Sequence, residues 1–456
     1  MEILEDLRKR EKIRVSPHLE GLPKNVPIRV GVLFSGGPAA GGSNVVAGIF
    51  DALHEMNPKS ELLGFLKGPS GLIEGKFKIL SSADIDPVRN LGGFDLLGTG
   101  RTKIETPEQF EKAMTVIKEN HLDGLVIIGG DDSNTNAYFL HKYLRENNLS
   151  CSVVGVPKTI DGDLKSKEVE ISFGFDTASK VYSEMISNIC TDAKSSLKYW
   201  HFIKLMGRTA SHVTLECALQ TAPNLALIGE EISQKKWSLD QIIAQVADTV
   251  EDRASQGKNY GVILIPEGLI EFIQGAKESL AQLLAAKDSH GNTKVSQIET
   301  ERLLSKLVAE ELIKRGSSAK FDPFHHFFGY EGRCSFPSVF DATYCYNLGL
   351  NAALLISNKK SGVMTTIKNL AKDVSEWKPA HIDLEGSLVE EERVGKLKKV
   401  VAKSLVDMDG PVFAAFLKVR EKNRVGDHYK KAGPIQFYGP LKDQITLTLE
   451  LENNSK

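Results

Sequence analysis

Cysteine is scarce in this chain. Five residues among 456, Cys151, Cys190, Cys217, Cys334 and Cys345, lie far apart and form no Cys-x-x-Cys pair. That spacing offers no paired-thiol motif and leaves buried free thiols as the expectation. An excess of either charge is also missing: 57 Lys and Arg stand against 59 Asp and Glu, for a net charge of -2. No global field therefore attracts nucleic acid or an anionic membrane, so binding must be local. No uncharged apolar run approaches the roughly 20 residues needed to span a bilayer. The stretch Met1 to Lys12 alternates acidic and basic residues, unlike a secretory signal. These absences point to a cytoplasmic protein with neither a membrane nor a nucleic acid as partner. Finally, the glycine loop Ser35 to Gly42 is not followed by Gly-Lys-Ser/Thr and is not Gly-x-Gly-x-x-Gly, so two common nucleotide signatures are lacking.

What is present is a repeated order of strand, glycine loop and helix. IRVGVLF (Ile28 to Phe34) reads as a buried strand, broken by Ser35-Gly-Gly-Pro-Ala-Ala-Gly-Gly-Ser43 before a helix near Asn44. The order recurs at Leu125 to Ile128 with a helix from Asn134, at Tyr199 to Leu205 with a helix from Ser211, and at Val262 to Ile265 with Pro266-Glu-Gly268. Such alternation predicts an α/β protein of parallel sheets covered on both faces, with ligands at the carboxyl ends of the strands. A length of 456 residues exceeds what one core usually serves, so two doubly wound domains are expected. The divisions are an N-terminal extension (1–27), a first domain (28–197), a second domain (198–371) and a C-terminal segment packing back on the core (372–456). Between about 279 and 320 a charged, helix-favouring stretch without strand-like runs reads as a helical hairpin inserted in the second domain, with its turn at Gly291-Asn292. A helix near Asp341 to Ile356 and a strand near Gly362 to Ile367 follow.

Three loops carry chemistry. Ser35 to Gly42 lets backbone amides approach an anion at a helix N-terminus, although ordinary tight turns have the same composition. Gly129-Gly-Asp-Asp-Ser133 adds carboxylates to a second such loop. Asp131 is placed to hold Mg²⁺, a hard cation that takes oxygen ligands, and Asp132 or Ser133 could equally cap the next helix. Lys158-Thr-Ile-Asp-Gly-Asp163 offers a cation, a hydroxyl and two carboxylates within one loop, costly to bury without partners. Asp161 and Asp163, two apart, fall on the same side of an extended chain. An alcohol positioned in line, a base and charge-spreading cations are the needs of phosphoryl transfer. His325 and His326 are adjacent and point apart in an extended segment, so they do not suggest a metal site.

SGGPAAGG, LLGTGRTKI, GGDDSNTNA, PKTIDGD, LMGRTASH, PEG and GYEGR stand in the order typical of phosphofructokinases, from about Ile28 to beyond Asn351. The chain resembles in particular the long-form members of the pyrophosphate-dependent branch, because VSPHLEGLP (Val15 to Pro23) and GPIQFYG (Gly433 to Gly439) are similar to theirs. The resemblance implies Mg²⁺-dependent, reversible transfer of a phosphoryl group from pyrophosphate to the C1 hydroxyl of fructose 6-phosphate, a reaction of glycolysis. Asp161 corresponds to the base that takes the C1 hydroxyl proton, with Thr159, Asp163 and Arg208 as further catalytic residues. Asp131 would hold Mg²⁺. Gly36, Gly37, Arg101, Gly130, Asp132, Ser133 and Lys158 would bind the donor. Met206, Gly207, Arg208, Glu267, Tyr330 and Arg333, with Thr159 and Asp161, would bind the sugar phosphate, and the fork of Arg333 suits a phosphate. The resemblance also implies a homodimer or homotetramer with the site near an interface. Lys198 or Lys204 would replace the arginine by which ATP-dependent relatives reach a neighbouring subunit's substrate.

Those relatives have glycine where Asp132 and Lys158 stand, which leaves room for the inner part of a nucleotide. Two anions forced to about 4 Å at an effective dielectric of 20 repel by on the order of 4 kcal/mol, roughly a thousandfold in affinity. Screening and relaxation reduce this to about ten- to a thousandfold. Lys158 adds positive charge suited to a small, highly charged donor. Other readings are an ATP-dependent 6-phosphofructokinase, a sedoheptulose 7-phosphate kinase, a lipid or dinucleotide kinase, or a non-catalytic regulatory subunit. Retention of Asp131, Asp161 and Asp163 argues against the last, and the TIDGD and MGR loops argue against the lipid or dinucleotide kinase.

Overall fold

Val30, Val32 and Phe34 are fully buried on one side of strand β1 (Arg29–Ser35), and Leu33 is equally buried on the other. A strand covered on both faces belongs inside a parallel sheet. It takes that place in the computed structural model of the chain, which describes residues 13–275, 298–393 and 396–432. After it come β2 (Glu61–Phe65), β3 (Phe77–Ile79), the short β4 (Thr99–Gly100), β5 (Gly124–Gly129), β6 (Ser152–Thr159) and the short β7 (Phe173–Gly174). A second set consists of β8 (Trp200–Leu205), β9 (Leu225–Ala226), β10 (Gly261–Pro266) and β11 (Pro323–Phe328). Then follow β12 (Val363–Lys368), β13 (Lys378–Asp383), β14 (Leu388–Arg393) and β15 (Lys396–Val401). The helices packed around them are α1 (Gly42–Met56), α2 (Pro107–Glu119), α3 (Asp131–Glu146), α4 (Phe175–Ser196), α5 (His212–Thr221), α6 (Leu239–Ala254), α7 (Thr300–Lys314), α8 (Val339–Ser357) and α9 (Pro411–Val425).

The larger sheet has the order β13-β12-β6-β5-β1-β2-β3, with β4 beside β1 and β7 beside β6; the smaller has the order β11-β8-β10-β9. All pairings in the smaller sheet are parallel. In the larger sheet only the edge strands β3 and β13 run antiparallel to their neighbours. The expected α/β architecture of two parallel sheets is thus present, with antiparallel edges that the strand and helix pattern did not announce. One assignment differs. The strand expected near 362–367 is β12, and it joins the larger sheet beside β6, with Val363 opposite Val154 and Met364 opposite Gly155, rather than the sheet of residues 198–371. The smaller sheet is therefore an excursion of the chain between β7 and α8. Of the expected hairpin at 279–320, α7 is present; its first half and the Gly291-Asn292 turn lie outside the described residues, as do Gly433 to Gly439.

Alternation along the strands divides the core into layers. In β10, Val262 and Leu264 face the same continuous core as Val30, Val32 and Tyr182 of α4, while Ile263 and Ile265 face α6 and α7 through Ile242, Val246 and Val308. Helix α4 thus packs between the sheets and joins them in one apolar core. The thiols of Cys151, Cys190, Cys217 and Cys345 are buried, as expected; Cys334 is exposed. Among the described residues no helix is long and apolar enough to cross a membrane. The N-terminal segment is tied down where Ser16 donates from its backbone to Asn347 at 2.8 Å and from its hydroxyl to the Trp377 carbonyl at 2.7 Å. Beyond β15 the chain crosses to the smaller sheet, where the buried Arg253 meets Asp427 at 2.8 Å and Arg420 meets Glu231 at 2.7 Å.

Helices α1 and α8 cross where Gly48 meets Gly349. A Cβ at Gly48 would overlap the Tyr346 carbonyl oxygen, and one at Gly349 would overlap that of Val45. Backbone on both sides leaves nothing flexible to yield. Gly48→Val should therefore lower stability by about 1–3 kcal/mol or more, read as a reduced denaturation midpoint with an unchanged m-value in urea titration.

Candidate active site

In the larger sheet, β1 has β5 on one side and β2 on the other, so the winding reverses at β1. Open α/β sheets bind ligands at the carboxyl ends of strands beside such a reversal. The register places those ends level: Phe34 is opposite Ile128, and Gly129 is opposite Pro157. The loops after β1, β5 and β6 therefore lie side by side, and these are the three loops singled out by composition. Gly36 donates its N–H to the Gly100 carbonyl at 2.9 Å, which brings Arg101 to the same edge. The smaller sheet repeats the arrangement. Its reversal is at β8, flanked by β11 and β10, with Leu205 opposite both Phe328 and Pro266. Met206-Gly207-Arg208, Glu267 and Tyr330 to Arg333 follow these three ends.

Residues of the two ends meet. The Thr209 hydroxyl donates to Asp163 at 2.5 Å, and the Arg333 guanidinium lies over Gly37, 2.6 Å from where a Cβ there would stand. Arg333 also donates through Nε to the Pro38 carbonyl at 3.3 Å and stacks on Tyr330 at 5.2 Å. Arg333, expected with the sugar-phosphate residues, is thus seated against the loop expected to bind the donor. Tyr330 itself is 61% exposed. On the other side, the Glu267 carboxylate accepts the Gly207 N–H at 3.0 Å, and close packing of Gly268 on the Arg208 backbone holds that turn. Burial, then the Asp161 charge, raises the pKa of Glu267 above the usual carboxylate range.

Lys158 is buried at the end of β6, and its Nζ is 3.4 Å from where a Cβ of Gly36 would be. Burial first, then the Arg333 charge, lowers its pKa to about 8, against the pull of Asp161 and Asp131. Burial, followed by repulsion from Asp161, raises Asp163, which the Thr209 hydrogen bond partly offsets. Thr159 accepts the Asp161 N–H at 3.1 Å, which closes the loop around the candidate base. Ser133 bonds the Ser35 hydroxyl at 2.8 Å, tying the first two loops together. Asp131 and Asp132 open helix α3, where the macrodipole favours anions. Neither is left to solvent alone: Lys103 reaches Asp132 at 3.4 Å, and Lys403 reaches Asp131 at 3.2 Å. Among the described residues no group of three or more His, Cys, Asp or Glu side chains is placed to hold a metal ion, and Asp131, expected to hold Mg²⁺, is paired with Lys403.

Lys103, Thr209 and Lys403 were missed by the sequence reading. Lys103 lies inside the quoted LLGTGRTKI and Thr209 inside LMGRTASH, so their neighbourhoods were marked although they were not. Of the two lysines considered for a cross-subunit contact, Lys198 is exposed, whereas Lys204 is buried against Glu301 at 3.2 Å and the Phe327 ring. His325 and His326 do point apart: His325 meets the Ser305 hydroxyl at 2.7 Å and His326 meets His201 at 3.0 Å.

Glycine loops, a buried lysine and two aspartates thus lie at the facing switch points of two α/β units. A family model described as Phosphofructokinase matches residues 29–356, and the chain belongs to that family. It is 44% identical to the pyrophosphate–fructose 6-phosphate 1-phosphotransferase of Porphyromonas gingivalis over 98% of this chain and 93% of that protein. The protein so named from Entamoeba histolytica is also 44% identical, with the same coverage. The beta subunit of the potato (Solanum tuberosum) enzyme of that name is 47% identical over 94% of this chain and 83% of its own length. Among solved structures, a pyrophosphate-dependent phosphofructokinase from Nitrosospira multiformis aligns over 91% of this chain and 94% of its own with a TM-score of 0.65 at 17% identity, a likeness of fold.

Lys158, expected to bind the donor, predicts a basic limb in the pH profile. Its pKa is lowered to about 8, so its cation is lost as pH rises through that value in the free enzyme. kcat/KM for the phosphoryl donor, which reports free-enzyme ionisations, should fall above about 8, and Lys158→Arg should abolish that limb.

Proposed function

We propose that the chain catalyses Mg²⁺-dependent, reversible transfer of a phosphoryl group between pyrophosphate and the C1 oxygen of fructose 6-phosphate. The observation that carries this reading is the pair of side chains at the donor loops. Asp132 is paired with Lys103 and Lys158 is buried, and by the family resemblance both occupy positions that are glycine in ATP-dependent relatives. A carboxylate there repels the inner phosphate of a nucleotide, and the lysine favours a compact, highly charged donor. The names of the relatives from Porphyromonas, Entamoeba and potato support the same donor and acceptor.

Asp161 takes the C1 hydroxyl proton while the sugar phosphate is held by the loop Met206-Gly207-Arg208, with Glu267 orienting it through the Gly207 amide. Lys158, Arg333 and the α3 N-terminus spread the charge of the migrating group, and transfer is direct and in line, so positioning and charge neutralisation supply the catalysis. Asp163, its hydroxyl bond to Thr209 spanning the two sheets, fixes the Asp161 loop. Asp131 would hold Mg²⁺, which when bound neutralises donor oxygens. A homo-oligomer, dimer or tetramer, and a cytoplasmic location complete the reading.

A coupled assay of the purified chain with pyrophosphate or ATP and fructose 6-phosphate decides the donor: turnover with ATP alone overturns the proposal. Asp161→Ala should lower kcat by about 10²- to 10⁴-fold while leaving sugar-phosphate binding intact. The double change Asp132→Gly with Lys158→Gly should improve ATP use at the expense of pyrophosphate, and an unchanged preference would refute the gating role.

A further inference from the structure

Residues 401–406 cross the cleft between the two sheets. At one end Val401 donates its N–H to the Thr135 hydroxyl of α3 at 2.9 Å, and Ala402 donates to the Ser387 carbonyl at 3.0 Å. In the middle the Ser404 N–H bonds the Asp163 carbonyl at 2.6 Å, and the Ser404 carbonyl meets His212 Nε2, at the start of α5, at 2.9 Å. At the far end the Val406 N–H bonds the buried Glu230 carboxylate at 3.0 Å, an oxygen that also accepts the Ser211 N–H at 3.1 Å. The strap is therefore pinned to helices of both sheets and to the backbone of the Lys158–Asp163 loop. Lys403 sits between two anchored residues, which fixes the direction in which its side chain leaves the backbone. It ends 3.2 Å from Asp131, and its charge is among those that act on Asp163.

We infer that Lys403 is a donor-binding residue supplied by the C-terminal segment, its ammonium contacting the phosphoryl oxygens of pyrophosphate beside Asp131. This rests on the proposed identity of the donor. A diphosphate brings several negative charges into a site that already holds Asp131, Asp132, Asp161 and Asp163. Lys158, on which the Arg333 charge acts, supplies positive charge there, and Lys403 adds a further cation from the strap. A surface ion pair alone does not account for the arrangement. A side chain serving only Asp131 needs no backbone anchored on both sides of the cleft, and both partners are about three-quarters buried, with 26% and 22% of their side chains exposed.

The test uses the full chain and methylenediphosphonate, a diphosphate that cannot transfer its phosphoryl group, titrated calorimetrically at saturating Mg²⁺, with fructose 6-phosphate titrated separately. Lys403→Ala should weaken methylenediphosphonate binding by about 10- to 100-fold, the loss of one charge-assisted contact, and leave fructose 6-phosphate affinity within about twofold of wild type. Lys403→Arg should keep diphosphate affinity within about threefold, because the cation is retained. Unchanged diphosphate affinity in the alanine variant overturns the assignment. Parallel loss of both ligands also overturns it, because the strap then serves only to hold the fold. Failure of the donor reading is seen separately, in a wild-type chain that turns fructose 6-phosphate over with ATP but not with pyrophosphate.

Discussion

Level strand ends are the constraint on which this molecule depends. Hydrogen bonding between parallel strands sets β1, β5 and β6 in a register that stops them together. Three loops far apart in the chain, after Ser35, Gly129 and Thr159, then have no alternative to standing side by side. The same holds for β8, β10 and β11 in the smaller sheet. Helix α4, buried between the sheets through Tyr182, Ile186 and Cys190, holds the two sets of ends face to face. A one-residue slip in any of these pairings would turn each strand's core residues to the opposite face, so the apolar layers protect the site geometry indirectly.

Within the cleft, like charges are crowded and a lysine is dehydrated. Both conditions cost free energy without substrate, and natural proteins concentrate such local conflicts at functional sites. Lys158 is held partly against its preference by burial and by Arg333, and Asp163 by burial and by Asp161. A ligand that carries phosphate oxygens to the lysine and a cation to the carboxylates relieves both at once. Preorganisation of this kind favours charge that arrives during reaction over charge already present.

Much of this was legible from the chain. Parallel strands buried on both faces read as apolar runs, and the glycines that follow them mark close turns at the strand ends, which is why β1, β5, β8 and β10 and their loops were placed to within a residue or two. Pairing between distant segments was not legible. Nothing in Val363–Lys368 says that it returns to β6 instead of extending the nearer sheet; it follows α8, which packs on α1 through Gly48 and Gly349, a contact between segments far apart in the chain. Lys103 and Lys403 are single cations among 57 Lys and Arg residues, and only folding brings them to Asp132 and Asp131. Arg333 was found by its motif, but its place over Gly37 depends on how the two sheets face each other.

The return of β12 to the larger sheet has a consequence for how the protein is made. About 200 residues separate the end of β6 from the start of β12, and at synthesis rates of about 5–20 residues per second that interval lasts roughly 10–40 s. Throughout it β7 can cover only the Lys158–Thr159 end of β6, so the stretch around Val154 and Gly155 awaits its partner. The nascent chain thus carries an unpaired strand border that closes only late in translation, and that border is where wrong pairing competes longest with the native fold.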